Sequence, residues 1–403
     1  MFIFIKNVFR FIKTYGFKGV VTAINASSEG GDVIKDYAWI TDTTPIPLDD
    51  GQKNECGDKI IVNWVIPPVT PGSGGHTTIF RTISHLERMG IHNRIYIYQN
   101  KLFDSDQTFR KFLNEHFSAA LTEQSVETFI SVDSMKYAHA TIATGWQTAY
   151  FVRRFNNTDN KFYFVQDFEP MFDPLGSKYL LAENTYRFGF KAITAGDWLK
   201  DKMHDEYGME AVSFGFSCDR SIYKPIPKTD SQKRIFFYAR PVTPRRAFEI
   251  GLLALNEVYK KHPDIEVVFA GWDVSKYNIP FKHKNMGTVL PSDLAKAFSS
   301  SDICLVMSVS NLSLMPLEIM SSGSVCATSY GANNEWLLSE ENTILFNNDP
   351  IEIADKLCYY LDHRDELEKI REKGMELAAS TDWEREIQKV YDYIVKCVNS
   401  NRT

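Results

Sequence analysis

From about residue 59 onward, short continuous apolar runs alternate with longer segments whose apolar residues recur every three or four positions. Lys59-Ile-Ile-Val-Asn-Trp-Val-Ile66 is the first run. It reads as a buried strand, because parallel strands covered on both faces are almost continuously hydrophobic. A helix from His76 to Gly90, a strand at Arg94–Gln99 and a helix around Thr108–His116 are expected next. Further strands are predicted at Ala140–Ala143, Lys161–Gln166 and Lys191–Thr194. Tyr223-Lys-Pro-Ile-Pro-Lys-Thr-Asp-Ser-Gln-Lys233 interrupts the pattern with prolines and polar residues, as a linker does. The alternation restarts at Arg234-Ile-Phe-Phe-Tyr238. It continues through a helix at Arg246–Lys261, a strand at Ile265–Ala270, a helix near Leu294–Ser299 and a strand at Ile303–Met307. A helix at Met315–Ser321, a strand at Val325–Ser329 and helices at Ile351–Tyr360 and Arg364–Ser380 complete it. Two such alternations in succession predict two doubly wound α/β domains, residues 59–222 and 234–381, joined by a linker at 223–233. Residues 382–403 form a last amphipathic helix.

Residues 1–58 follow neither core pattern. In the first 21, Lys6, Arg10 and Lys13 share one helical face, Phe2, Ile5, Phe9 and Ile12 line another, and no acid occurs. A basic amphipathic helix of this kind suits an anionic membrane surface. A helix docked on the protein's own first domain explains the same pattern. Residues 22–58 are polar and turn-rich and predict an extended arm.

Composition narrows the function classes. A hydrophobic content of 44% and a charged content of 24% are ordinary for a globular protein. A net charge of −6 provides no basic field for nucleic acid. The six cysteines are scattered without a C-x-x-C pair, which predicts reduced thiols in the cytoplasm. No apolar run approaches the ~20 residues of a spanning helix, and no cleavage site follows the first apolar stretch. The histidines form no H-x-x-x-H or H-E-x-x-H pair, so no metal site is expected. Asp104-Ser-Asp106 has the D-x-D form, but Asn100 to Phe103 separate it from the strand end at Gln99, and helix capping explains it better.

Candidate chemistry gathers where strands end, the edge at which open parallel sheets bind ligands. Tyr238-Ala-Arg240-Pro-Val-Thr-Pro-Arg245-Arg246 places two guanidinium groups five residues apart, Arg240 and Arg245, at a strand–helix junction, where they can fork onto diphosphate oxygens. Gly271 ends another strand. Ser308-Val-Ser-Asn-Leu-Ser-Leu-Met-Pro-Leu-Glu318 is a polar loop leading into a helix that carries an acid. In the first domain, Pro71-Gly-Ser-Gly-Gly75 precedes a helix, so Gly74, Gly75 and His76 can approach a ligand closely. Gln166-Asp167-Phe168-Glu169-Pro170 ends a strand with two acids, as catalytic or sugar-binding groups or as caps of the next turn. Trp146 is either an aromatic platform for a sugar or a core residue.

These segments resemble retaining GT-B glycosyltransferases of family 4. The resemblance covers nearly the whole chain from residue 59 and is most specific over residues 234–397. Arg240 and Arg245 align with an arginine and a lysine of that family, although Ala239 and Arg246 stand where glycines are usual. The family carries two glutamates in the segment that here runs from Ser310 to Glu318. Glu318 holds the second place, which implies a ribose ligand, and Ser310 replaces the first. Ser313 and Leu314 align with positions whose backbone amides meet donor phosphates. Thr288, Val289 and Leu290 align with the segment that meets the base. Gln-Asp-x-Glu-Pro is similar to rhamnosyltransferases of bacterial surface polysaccharide and surface-layer glycan assembly.

The resemblance implies two Rossmann-like domains facing a cleft, with an N-terminal helical extension and a final helix crossing back to the first domain. It implies transfer of rhamnose from dTDP-β-L-rhamnose without metal or cofactor, retention to give a β-L-rhamnoside, and a lipid-linked oligosaccharide or glycan acceptor. The enzyme would then work in the cytoplasm at the inner face of the membrane, held there through residues 1–21. Two rivals remain: a nucleotide-sugar epimerase of the same fold, and a non-catalytic sugar-nucleotide-binding membrane scaffold, which the loss of the first glutamate keeps open.

Overall fold

The computed structural model describes residues 32–57 and 59–400. The basic segment 1–21 lies outside them. In the first domain the strands are β1 (Ile61–Ile66), β2 (His92–Ile97), β3 (Glu127–Phe129), β4 (Ala138–Ala143), β5 (Thr158–Val165), β6 (Lys191–Ala195) and β7 (Ala211–Phe214). They pair in parallel in the order β3-β2-β1-β4-β5-β6-β7. The second domain has β8 (Arg234–Tyr238), β9 (Glu266–Ala270), β10 (His283–Asn285), β11 (Ile303–Leu305), β12 (Val325–Ser329) and β13 (Ile344–Phe346). These are also parallel, in the order β10-β9-β8-β11-β12-β13. Both sheets therefore reverse strand order beside their first strand, and such a reversal opens a crevice at the strands' carboxyl ends.

Every residue of β1 and of β4 is buried, as their apolar runs require. The edge strand β10, His-Lys-Asn, is exposed at all three positions and carries no hydrophobic signal. Helices cover both faces of each sheet, as parallel strands demand. Trp383–Ser400 is a helix of 18 residues that returns to the first domain. Ile387, Val390, Ile394, Cys397 and Val398 are buried along one side of it. Its Tyr393 ring meets Phe162 edge-on at 5.8 Å, and the Glu386 carboxylate accepts from the Gly215 amide at 2.7 Å. Each buried aliphatic side chain contributes about 1.5–3 kcal/mol.

The arm corrects its expected extended form. It contains the helices Val33–Thr41 and Asp50–Asn54, capped by the carboxylates of Asp32 and Asp49. Apolar packing makes the first of these pay: Trp39 contacts Tyr98, Trp146 and Tyr150 at ring separations of 6.1, 5.7 and 5.5 Å. Ser105 caps the helix Asp106–His116 in a reciprocal pair with Thr108, and Asp106 accepts from the Ile130 amide, so this D-x-D segment serves local structure.

Candidate functional site

The carboxyl edge of the first sheet is built by β1, β4 and β5. Ser73 caps the helix Gly74–Arg88, and its hydroxyl pairs with His76 Nδ1 at 2.8 Å. His76 Nε2 lies 3.3 Å from the Pro67 carbonyl. Burial pushes the imidazole down to about 4, so it is neutral, with Nε2–H donating to Pro67 and Nδ1 accepting from Ser73. His76 thus fixes the loop. Gly75 faces the Gln166 side chain, and open space lies beside Gly74.

Two of the residues expected at the site have partners within the first domain. The Glu169 carboxylate accepts from the Trp146 amide at 2.6 Å, at the start of the helix Trp146–Arg154. Burial pushes Glu169 up to about 8. The Trp146 ring packs against Trp39 and Tyr150 and is 8% exposed, so the structure places it in the core and not as an open platform.

Three arginines meet at the edge of the second sheet. Arg245 lies over the Phe172 ring of the first domain at 4.1 Å, and its Nε stands 3.6 Å from Asp167 Oδ2. That separation exceeds a hydrogen bond, and the buried Nε has no partner. Arg246 donates from Nη1 to Ser308 Oγ at 2.9 Å. Arg240 lies close enough to act electrostatically on both neighbours. Burial lowers the pKa of Arg245 and of Arg246, and Asp167 opposes that shift at each. Arg246 escaped the sequence reading because it occupies a position at which the family carries glycine.

Gly271 completes this edge with φ +106°, and a Cβ there would lie 2.6 Å from the Tyr238 ring. Its amide donates to the Gly287 carbonyl at 2.9 Å, which brings the half-buried Val289 and the exposed Thr288 and Leu290 alongside. Ser313 and Leu314 are half-buried just before the helix Met315–Ser321. Glu318 is set apart. Its neighbours are Arg81 on the first-domain helix Gly74–Arg88, Tyr223 and Asp219. Burial pushes Glu318 up to about 7, against the opposing influence of Arg81.

The two edges touch through Asp167 and Asn311. Asp167 Oδ2 accepts from Ser310 Oγ at 2.9 Å and Oδ1 from the Asn311 amide at 2.8 Å. Asn311 Nδ2 donates to the carbonyls of Gln166 and Ala195, each at 2.9 Å, and its Oδ1 accepts from Trp336 Nε1 at 3.3 Å. Burial raises the pKa of Asp167, while the Asn311 amide and the arginines resist that rise. The residue that fills the place beside Ser310 is therefore an acid of the opposite domain.

Comparison with known proteins agrees with this architecture. Residues 61–195 match the family described as WsaF, N-terminal domain, and residues 233–358 match WsaF, C-terminal domain. The O-antigen biosynthesis protein RfbC of Myxococcus xanthus is 32% identical over 256 residues, covering 62% of this chain and 20% of that protein. The chain thus spans about a fifth of that curated relative. Sucrose-phosphate synthase from Thermosynechococcus elongatus superposes with a TM-score of 0.64 at 12% identity, over 85% of this chain and 100% of the other. HepE of Anabaena, solved in complex with UDP and glucose, gives 0.62 at 13% identity, over 85% and 100%. Two parallel-sheet α/β domains in this arrangement are the GT-B glycosyltransferase fold.

Proposed function

We propose that this chain, whose halves match the two WsaF domains in order, is a glycosyltransferase that adds L-rhamnose from dTDP-β-L-rhamnose to a growing cell-surface glycan with retention of configuration. The observation that carries the transferase reading is the charge at the second sheet's edge. Arg240, Arg245 and Arg246 converge there beside two buried acids, Asp167 and Glu169, whose carboxyls burial pushes up from their ordinary values. Such a surplus suits the diphosphate of a sugar nucleotide. RfbC's name supports a surface glycan as product, and the ligands of HepE support a nucleotide-sugar donor. Rhamnose is supported by the Gln-Asp-x-Glu-Pro segment and by an uncharged Ser310 next to the buried Leu312, a wall suited to a 6-deoxy sugar.

In the proposed reaction the bond between the anomeric carbon and the phosphate oxygen breaks, and its electron pair leaves with the phosphate. The arginines stabilise that charge as it develops. The acceptor hydroxyl oxygen bonds to the same face of the anomeric carbon, and its proton passes to the departing phosphate oxygen. The guanidinium groups supply the positive charge, so the reaction needs no metal. Residues 1–21 hold the enzyme beside a lipid-linked acceptor at the membrane.

Competition among dTDP-β-L-rhamnose, UDP-glucose and GDP-mannose on a rhamnose-terminated acceptor tests the reading, with the new linkage assigned by NMR. A β-L-rhamnoside is expected, at a rate unchanged by EDTA. Preferential use of a fully hydroxylated hexose overturns the sugar assignment. Isomerised donor without acceptor establishes the epimerase, and binding without turnover the scaffold. Vesicle sedimentation of the full chain and a form lacking residues 1–21 checks the membrane role. Equal, salt-insensitive recovery of both in the supernatant refutes it.

A further inference from the structure

We infer that the folded first domain carries a membrane contact of its own, an apolar rim around Leu175 and Leu180 that seats the mouth of the cleft against a lipid bilayer. It rests on the membrane-linked acceptor of the reading above, and not on residues 1–21. Single exposed apolar side chains are ordinary, whereas a cluster marks a surface that something covers. Across residues 59–222 three large apolar side chains are exposed, Met171 at 42%, Leu175 at 81% and Leu180 at 50%, and all three fall within ten residues. Leu175 stands in a run of five exposed residues, Pro174 to Lys178, so it projects from the surface. This run joins the turn Glu169–Phe172, whose Phe172 ring lies under Arg245, to the helix Ser177–Asn184. The rim therefore borders the arginine cluster.

The arm extends the same rim. In the helix Val33–Thr41, Val33, Tyr37 and Ile40 recur at helical spacing on one face. Ile40 and Leu181 pack against one cluster of Trp146, Tyr150 and Ala182, which sets this helix beside Ser177–Asn184. At its other end Val33 and Ile34 are exposed, next to where residues 1–31 join. That segment includes the acid-free, basic and apolar stretch 1–21. Size selects the occupant. A stable protein interface buries about 1,200–2,000 Å², more than a few side chains on a projecting turn supply. Leucine-sized groups entering the boundary between headgroups and acyl chains are the scale of an interfacial membrane contact. Charges beside the rim balance, because Lys178 pairs with Asp173 and Arg187 with Glu183, each at 3.6 Å. The contact is thus apolar and resists salt, unlike the attraction of residues 1–21 to anionic headgroups.

Cosedimentation of the full chain with vesicles of phosphatidylethanolamine and phosphatidylglycerol, at low and at high salt, tests it. Part of the binding should persist at high salt. Leu175→Ser combined with Leu180→Ser should weaken that part about tenfold or more, the scale of two leucine side chains withdrawn from water. Leu253→Ser, at an exposed leucine of the second domain, should leave it unchanged. Hydrogen exchange across residues 171–181 of the unaltered chain should slow when vesicles are added, a reading that needs no variant. Removing residues 1–21 should lower binding at low salt and leave the salt-resistant part in place. High-salt binding that is absent, that survives in the double variant, or that falls equally in Leu253→Ser overturns the inference, as does unchanged exchange. A chain that self-associates without lipid, and that the double variant returns to monomer, makes the rim a contact between copies and also overturns it. If removing residues 1–21 alters nothing while the double variant releases the chain, the role of that segment fails and the rim stands.

Discussion

Glu169 and Glu318 are acids that burial pushes toward neutrality, to about 8 and about 7, beside different partners. Raised folded values make the protonated forms the stabilising ones. Their contribution is complete below the unfolded value near 4.5 and is lost as pH rises through the folded value. Thermal unfolding midpoints should therefore fall as pH rises from about 4.5 to about 8. Glu169→Gln should flatten that decline, since the amide oxygen can still accept from Trp146. A decline as steep as the wild type's would contradict the assignment. For Glu318, isothermal titration of Glu318→Ala with dTDP should show a loss of about 1.5–3 kcal/mol if it holds the ribose. Unchanged affinity would leave it as a partner of Arg81 alone. The contact between Asp167 and Ser310 was not legible in the chain. The two lie 143 positions apart, and spacing reports only neighbours along one element. The arginine pair was legible because one strand–helix junction carries both members.

At the scale of elements, burial decided what could be read. β1 and β4 lie deep between helices, so their apolar runs stand out. The strands β3, β7, β10 and β13 escaped notice. β10 is wholly exposed, and β3 and β13 have only three residues each, too few to display a period. The helices Val33–Thr41 and Asp50–Asn54 were missed in a segment that reads as turns, because neither contains a buried residue that would mark a helical face. The last helix was visible as amphipathic, and its partner is now defined. Ile387→Ala should cost about 2–5 kcal/mol in urea unfolding, because the deleted atoms are buried against the first domain. A loss below about 0.5 kcal/mol, the range of ordinary surface changes, would show that this helix is dispensable to the core.

Across the whole molecule, the two α/β domains were legible because each repeats its own strand–helix alternation, whereas the way they face each other depends on single residues. Gly196 has φ +89°, and a Cβ there would lie 2.5 Å from the Trp336 ring. Gly196→Ala should therefore part the domains. Small-angle scattering is expected to report a larger radius of gyration, with both domains still folded by circular dichroism. An unchanged radius would mean that Trp336 moves aside. Asn311→Ala should act in the same direction by removing the bonds to Gln166 and Ala195.

Those two bonds end on peptide carbonyls, and a carbonyl keeps its place whatever side chain its residue bears. The grip of the Asn311 side chain is thus indifferent to which side chains stand at 166 and 195, while its main-chain amide still requires the Asp167 carboxylate. A first domain from a distant relative, with the same strand ends and different surface residues, would present the same two oxygens. In a chimera built at the linker those two bonds would survive, and the seam would close again provided that the incoming half kept Asp167, Phe172 and Gly196 and the surface beneath the last helix.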